Sequence, residues 1–215
     1  MQHSTSEKNG LAILSERDQT IYSVGISTAG LAEIHMATAS PKRHIIATTI
    51  DKEGADFAQT RIRESGLSER IEVKLEDIKA PLPYGDEHFD FVYARLVLHY
   101  LSKTDLTCAL KELHRIVKKG GKIFVVVRSK DCLEAQSKTS SFDPESGMTT
   151  YISESGHSLS RFFHDKDSIQ TFLSAAGFHI NHIKTYNEQL CIDFHRTKPS
   201  KQPDALIEVL ASKEK

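Results

Sequence analysis

The sequence predicts an α/β protein built on a Rossmann-like, mostly parallel sheet with helices on both faces. Three observations carry this. Short β-branched runs alternate with stretches of helical period. The run at residues 122–127 (Lys-Ile-Phe-Val-Val-Val) is almost wholly apolar, as a strand buried on both sides is. The gap between the last two runs has no room for a crossover helix, which makes the final pairing antiparallel. With 215 residues, 39% hydrophobic and 27% charged, the chain has enough apolar material for one core and is expected to form one domain.

The first run, residues 20–24, ends at Gly25, and a helix is expected over 31–37, before Pro41. Residues 44–50 form the second run and close on Asp51. Phe57, Ala58 and Ile62 mark a helix that stops at Gly66, and a third run, 71–75, ends in Glu76 and Asp77. A proline-rich loop, 81–85, leads into a fourth run at 89–94. Ser102 with Asp105 resembles a capping box, and Leu106, Ala109, Leu110, Leu113, Ile116 and Val117 repeat at three and four residues until Gly120-Gly121.

From 129 to 161 the chain turns to Ser, Thr, Gly and Asp with scattered aromatics, which reads as a polar lid or flexible insert. Helix resumes near Asp165 with Ile169, Phe172 and Leu173, and Gly177 lies just past its end. Residues 178–185, 190–194 and 205–211 read as closing strands, the last two separated by the turn at 199–203.

Lys+Arg total 28 against 29 Asp+Glu, a net charge of -1, which removes the electrostatic drive of a general nucleic-acid binder. Cys108, Cys132 and Cys191 are widely spaced and never CxxC, so neither a disulfide framework nor a zinc ribbon is indicated. Residues 1–19 read as a short polar segment without an apolar h-region, and no stretch approaches eighteen apolar residues. A soluble, cytoplasmic protein without a membrane span is expected.

In an open parallel α/β sheet, ligands bind beyond the carboxyl ends of the strands. After the first run come Gly25-Ile26-Ser27-Thr28-Ala29-Gly30, whose small side chains let a ligand approach the backbone. Asp51 is placed to accept from a ribose diol, or equally to cap the following helix. Asp77 can accept from an exocyclic amine, and Arg95 with Leu96 would floor the pocket.

Residues 82–101, Leu-Pro-Tyr-Gly-Asp-Glu-His-Phe-Asp-Phe-Val-Tyr-Ala-Arg-Leu-Val-Leu-His-Tyr-Leu, resemble the segment around strand four of class I S-adenosylmethionine-dependent methyltransferases, nearest the ubiquinone/menaquinone-type small-molecule subgroup. Residues 116–122 are similar to that family's helix-to-strand turn, and 161–178 to its last helix and following strand, so the likeness spans most of 20–212. It implies a seven-stranded sheet with an antiparallel C-terminal hairpin, and S-adenosylmethionine as cofactor. Carried over by position, Gly25 underlies the methionine moiety, Asp51 holds the ribose, Asp77 the adenine amino group, and Arg95 with Leu96 the far wall. Ser27, Thr28, Lys52 and Ile78 complete the expected cofactor-binding set. The glycine loop departs from Gly-x-Gly-x-Gly, with Ser27 and Ala29 in place of glycine and Gly30 displaced by one. Ser23 stands where the family often has an acidic residue, and few residues precede the first strand. Cover for the cofactor then falls to 129–161 or to a second subunit, or the site stands open.

Methyl transfer is a one-step displacement that needs in-line approach and exclusion of water rather than a protein nucleophile. His99, just after the fourth run, is the candidate general base. Tyr100, Arg128, Arg161 and His164 are candidate substrate-binding residues, the arginines because a guanidinium pairs with carboxylate or phosphate. His179 and His182, three apart on a strand, face opposite sides, so no metal is expected. The Asn-Pro-Pro-aromatic and Pro-Cys signatures of nucleic-acid methylation are absent after the fourth run, which favours a small-molecule acceptor. Two alternatives stay open: a methyltransferase-like binding module without turnover, and a nicotinamide-dependent reductase. The reductase is disfavoured because no tyrosine has a lysine four residues later.

Overall fold

The computed structural model describes residues 4–26, 30–153, 156–191 and 197–214. In chain order the elements are helix α1 (Thr5–Ile13), strand β1 (Thr20–Val24), α2 (Leu31–Ala39), β2 (His44–Thr49), α3 (Lys52–Glu64), β3 (Ile71–Leu75) and β4 (Phe89–Arg95). A single 3-10 turn at Leu98–Tyr100 leads into α4 (Lys103–Ile116) and β5 (Val117–Arg128). Then come α5 (Leu133–Gln136), β6 (Ser141–Phe142), β7 (Thr149–Ile152), β8 (Ser158–Arg161), α6 (Lys166–Ala175), β9 (Phe178–Glu188) and β10 (Asp204–Lys213).

Seven strands form one sheet in the order β3-β2-β1-β4-β5-β10-β9, the Rossmann-like architecture expected. The strands β1 to β5 run parallel, and β10 lies antiparallel to both β5 and β9. Alternate side chains build two cores. Tyr22, Val24, Val92, Ala94, Ile123, Val125 and Val127 point to the face covered by α4 and α6, whose Leu106, Leu110, Leu113, Ile169 and Leu173 pack there. Ile21, Ile45, Phe91, Tyr93, Phe124 and Val126 point to the other face, against Ala32 and Met36 of α2 and Ala58 and Ile62 of α3. Strand order reverses between β1 and β4, and the carboxyl edge at such a switch point is where ligands bind in open α/β sheets.

The polar segment at 1–19 contains a helix that hydrophobic periodicity does not show. Ser4 caps α1 and accepts from the Glu7 amide while Glu7 reaches back to the Ser4 amide, a reciprocal capping box. Gly10 brings α1 onto the sheet: a Cβ there would lie 2.6 Å from the Tyr93 ring and 2.7 Å from the Phe124 ring. The helix is tied at both ends, since the Ser6 amide donates to the Glu188 carboxylate at 3.2 Å and Lys122 Nζ donates to the Ile13 carbonyl at 3.3 Å.

Residues 129–161 contain a small antiparallel sheet, β6-β7-β8, preceded by α5. It is stitched to the body where β4 ends: the Phe162 amide donates to the His99 carbonyl at 2.7 Å, and the Lys103 amide to the Ser146 carbonyl at 2.8 Å.

The closing strands differ from expectation. Residue 185 is not an end, because β9 continues to Glu188, and the separate strand at 190–194 is not formed among its described residues. Leu190 packs into the core, Cys191 makes only an isolated bridge to Pro199, and 192–194 lie outside the described residues. Polar Tyr-Asn-Glu at 186–188 suggested an end, yet the partners are tertiary: Tyr186 Oη donates to Glu208 at 2.6 Å, and Glu188 receives α1. Likewise α4 ends at Ile116 rather than at Gly120-Gly121, and β5 begins at Val117, paired with Phe89. A Cβ on Gly121 would meet the Asp90 carbonyl at 2.9 Å.

Gly10→Leu is expected to destabilise the protein by about 1–3 kcal/mol, the usual cost of overpacking, because the two rings beneath it belong to the central strands. An unchanged urea midpoint would show that α1 does not pack on the sheet in solution.

Candidate functional site

At the end of β1, Gly25 adopts φ +70°, and a Cβ there would be 2.7 Å from Val97 Cγ2, so both backbone and space require glycine. Gly30, φ +59°, begins α2. Ser27 and Thr28 lie outside the described residues. Ser23 Oγ donates to the buried Glu33 carboxylate of α2 at 2.6 Å, which puts a carboxylate directly behind the strand position where the sequence lacks one.

At the end of β2, Asp51 is exposed and both anticipated roles meet in it. Its carboxylate caps α3, Oδ1 accepting from the Glu53 amide and Oδ2 from the Gly54 amide, each at 3.1 Å. Each oxygen keeps a further lone pair for a hydroxyl outside. Lys52 turns away to pair with Asp56 one helical turn on, at 2.8 Å. Two large apolar side chains missed by sequence reasoning are bare at the same strand ends: Ile50, next to Asp51, is 75% exposed and Leu75, registered against Thr49, is 58% exposed. Exposed aliphatics at the ends of adjacent buried strands were a usable signal.

At the end of β3, Asp77 accepts from the Lys79 amide at 3.0 Å, and Ile78 is buried in the core beside Leu82 and Phe89. Glu76, also missed, accepts from the hydroxyls of Tyr22 and, at 3.0 Å, Tyr84. Burial first, and then the Glu76 charge, raise both phenols above the ordinary tyrosine value, so they remain donors.

At the end of β4, Arg95 closes on α1 rather than lying open at the carboxyl edge. Its Nε donates to Ser6 Oγ at 2.6 Å and Nη2 to Ser4 Oγ at 2.8 Å, with Glu7 3.8 Å from Nη1. The cap residue Ser4 and its neighbour Ser6 thus share their hydroxyls with a strand-end arginine, which fastens α1 to the end of β4. Leu96 has φ +57° and turns the chain, its amide donating to the Val126 carbonyl at 2.8 Å, which brings Val97 over Gly25.

His99 and Tyr100 follow. His99 is 1% exposed and its Nδ1 has no hydrogen-bond partner. Burial, then the charges of Arg161, Arg128 and His164, hold it well below the usual histidine value, so it is neutral. The ring of Tyr100 lies 4.6 Å from the His99 ring, and its hydroxyl accepts from Arg161 Nη2 at 3.1 Å. Arg161, from β8, is therefore brought to the end of β4. Arg128 is not free: it pairs with Asp204 at 2.5 Å and Glu134 at 2.8 Å. The carboxylates of Glu134 and Asp204 flank this guanidinium, with the Cys132 thiol close to both and held protonated by burial. His164 is fully buried, stacked on Phe162 and edge-on to Phe172, with Nδ1 3.2 Å from Ser168 Oγ, and burial lowers it to about 3. It packs the base of α6 rather than opening onto the carboxyl edge.

The fold and these strand ends define an α/β protein with a candidate nucleoside site and a second polar cluster beside it. Residues 23–125 match the family described as "Methyltransferase domain". A relative from Vibrio cholerae, the ubiquinone/menaquinone biosynthesis C-methyltransferase UbiE, is 26% identical over 169 residues, covering 74% of this chain and 64% of that protein. Its counterpart from Vibrio parahaemolyticus is 25% identical over 178 residues, covering 79% and 67%. This chain thus spans 64% of the length of the Vibrio cholerae protein. Among solved structures, a SAM-dependent methyltransferase of Methanosarcina mazei aligns with TM-score 0.70 at 18% identity over 100% of this chain and 99% of that one. A putative S-adenosylmethionine-dependent methyltransferase of Listeria monocytogenes aligns with TM-score 0.72 at 14% identity over 98% and 99%. These similarities show a methyltransferase-like fold whose matched segment is 23–125, and the two solved neighbours are described as dependent on S-adenosylmethionine.

The residues present fit the nucleoside half of that cofactor: the bare aliphatic surface of Ile50 and Leu75 suits a purine face, and the exposed carboxylate of Asp51 suits a ribose diol. Asp51→Asn, which keeps one of the two cap acceptors, is expected to weaken S-adenosylmethionine binding by about 1.5–3 kcal/mol with a smaller loss of stability than Asp51→Ala, which should lose about 1 kcal/mol. Calorimetric titration and thermal melting separate the two effects, and equal affinity for wild type and Asp51→Asn would remove Asp51 from the ribose site.

Both buried histidines are neutral in the fold and regain a value near 6.5 when unfolded. Below about 6.5 the unfolded chain takes up protons that the folded chain refuses, so stability is complete above that pH and declines on acidification, for His164 down to about 3. The urea midpoint is expected to drop between pH 7.5 and 5.5, before carboxylates titrate; identical midpoints would contradict it.

Proposed function

We propose that the protein transfers the methyl group of S-adenosylmethionine to a small-molecule acceptor in the cytoplasm. The observation that carries this reading is the meeting of two sites at one sheet edge. The nucleoside surface of Ile50, Asp51 and Leu75 ends β2 and β3, and the His99, Tyr100 and Arg161 cluster follows β4. The first binds the donor, the second the acceptor. Among the described residues no helix is long and apolar enough to cross a membrane.

The cofactor supplies an electrophilic methyl carbon on a sulfonium. The acceptor's nucleophilic atom forms a bond to that carbon as the carbon–sulfur bond breaks, S-adenosylhomocysteine leaves, and the acceptor loses a proton. What this chain contributes is orientation and dryness. Gly25 allows close approach to the backbone, Val97 covers it, and α1 and the β6-β7-β8 sheet bracket the end of β4. Neutral His99, whose buried Nδ1 has no hydrogen-bond partner, receives the acceptor's proton if Nδ1 is the unprotonated nitrogen. Asp77 lines the purine end, with Ile78 in the core behind it rather than on the ligand surface, and Tyr100 and Arg161 orient the acceptor.

Val97 over Gly25 also favours a second reading, a binding module without turnover, because it narrows the approach to the methionine end. Label from S-adenosyl-[methyl-3H]methionine is expected to pass into small molecules of a cell extract with the wild-type protein. His99→Asn should lower that rate by about 10²-fold or more without changing S-adenosylhomocysteine affinity. Because His99 is deprotonated throughout the neutral range, the wild-type rate should be flat above about pH 6.5. Cofactor binding without label transfer to any extract component would favour the second reading.

A further inference from the structure

We propose that the acceptor is a monoanion held through a carboxylate against Arg161, in the cluster that Arg161 forms with Tyr100, Tyr151 and His99. This deepens the methyl-transfer reading and rests on it for the identity of the ligand as acceptor.

Arg161 is a buried cation without a counter-ion among the described residues. It is 8% exposed, and among the described residues no carboxylate lies within ion-pair distance of it. Its guanidinium carbon sits 5.2 Å from the centroid of the Tyr100 ring and 5.5 Å from that of Tyr151, so aromatic faces hold the charge in place of an anion. One donor, Nη2, reaches the Tyr100 hydroxyl at 3.1 Å, while Nε has no partner. Beside it the Tyr151 hydroxyl and His99 Nδ1 are buried and equally unpartnered. Buried polar atoms left unpaired are costly, and three of them around one unneutralised cation point to a group that enters with acceptor oxygens.

Charge selects the kind of anion. Arg128, the other cation acting on His99 and Tyr151, is already matched by Asp204 and Glu134, two carboxylates for one guanidinium. Its surroundings are therefore net negative, and only the Arg161 charge is left for a ligand. A carboxylate, planar and singly charged, matches one guanidinium edge, whereas a phosphate dianion would face Asp204 and Glu134 uncompensated. Tyr151 is held above its usual value, chiefly by burial, so its hydroxyl stays a donor to such an oxygen. The bound charge would also offset the part of the field on His99 that Arg161 casts, while burial, the larger cause, continues to hold His99 neutral.

The test is calorimetric titration of the full chain, saturated with S-adenosylhomocysteine, with sodium benzoate, benzamide and phenyl phosphate. Benzoate is expected to bind at least about tenfold more tightly than either of the others. In Arg161→Gln, checked for fold by circular dichroism, benzoate should fall to the benzamide level while S-adenosylhomocysteine affinity is unchanged. Benzoate binding no better than benzamide overturns the proposal in the wild-type protein alone, whether or not the variant folds. Phenyl phosphate binding more tightly than benzoate overturns the single-charge assignment, and discrimination that survives in folded Arg161→Gln overturns the assignment to Arg161. If S-adenosylhomocysteine does not bind, the methyl-transfer reading fails; the same series run without it still decides whether Arg161 takes a carboxylate.

Discussion

A parallel sheet buried on both faces leaves its strand ends as the place where ligand can meet backbone and polar side chains together. Here β1 to β5 lie between α1–α3 on one side and α4 with α6 on the other, and their central side chains are closed to solvent. That constraint explains why Gly25, Asp51, Glu76, Asp77, Arg95 and His99, distant in sequence, are all strand-end residues on one edge. It also explains why bare aliphatics at Ile50 and Leu75 carry information: a few residues earlier, on the same strands, they would have been core.

The edge is divided by the turn after β4. Left-handed Leu96 swings Val97 over Gly25 and starts the 3-10 turn that delivers His99 and Tyr100. On the β3-β2-β1 side the groups suit a nucleoside. On the other side β8 brings Arg161 across to Tyr100, and the small β6-β7-β8 sheet is fastened by backbone hydrogen bonds to the same turn. Polar groups serve structure and ligand at once: Asp51 caps α3 while exposing its carboxylate, and Arg95 locks α1 while ending β4.

Much of this was legible in the residues. The strand runs, the N-cap at Ser102 (a side-chain cap rather than the reciprocal box its spacing resembles), the helix before Gly66 and the antiparallel close all depend on local periodicity and short-range capping, which a sequence displays directly. Helix α1 was not legible by periodicity, because its packing face includes a glycine and buried Ser6 and Glu7 rather than an apolar stripe; only the Ser4-to-Glu7 spacing announced it. The extent of β9 was hidden for the same reason, its last residues being polar and satisfied by Glu208 and α1 far away in the chain.

The sequence alone determined the α/β class, the order of the main elements and the positions of the strand ends, because hydrophobic period and capping act within a few residues. Tertiary structure decided which strand-end groups are free to meet a ligand. Arg95 and Arg128 are alike in sequence as strand-end arginines, yet both are matched by partners from remote segments. Arg161 alone among these three is left unneutralised by the described residues, between two tyrosine rings. Pairing of buried charge is a long-range event, set by what the folded chain brings within a few ångströms.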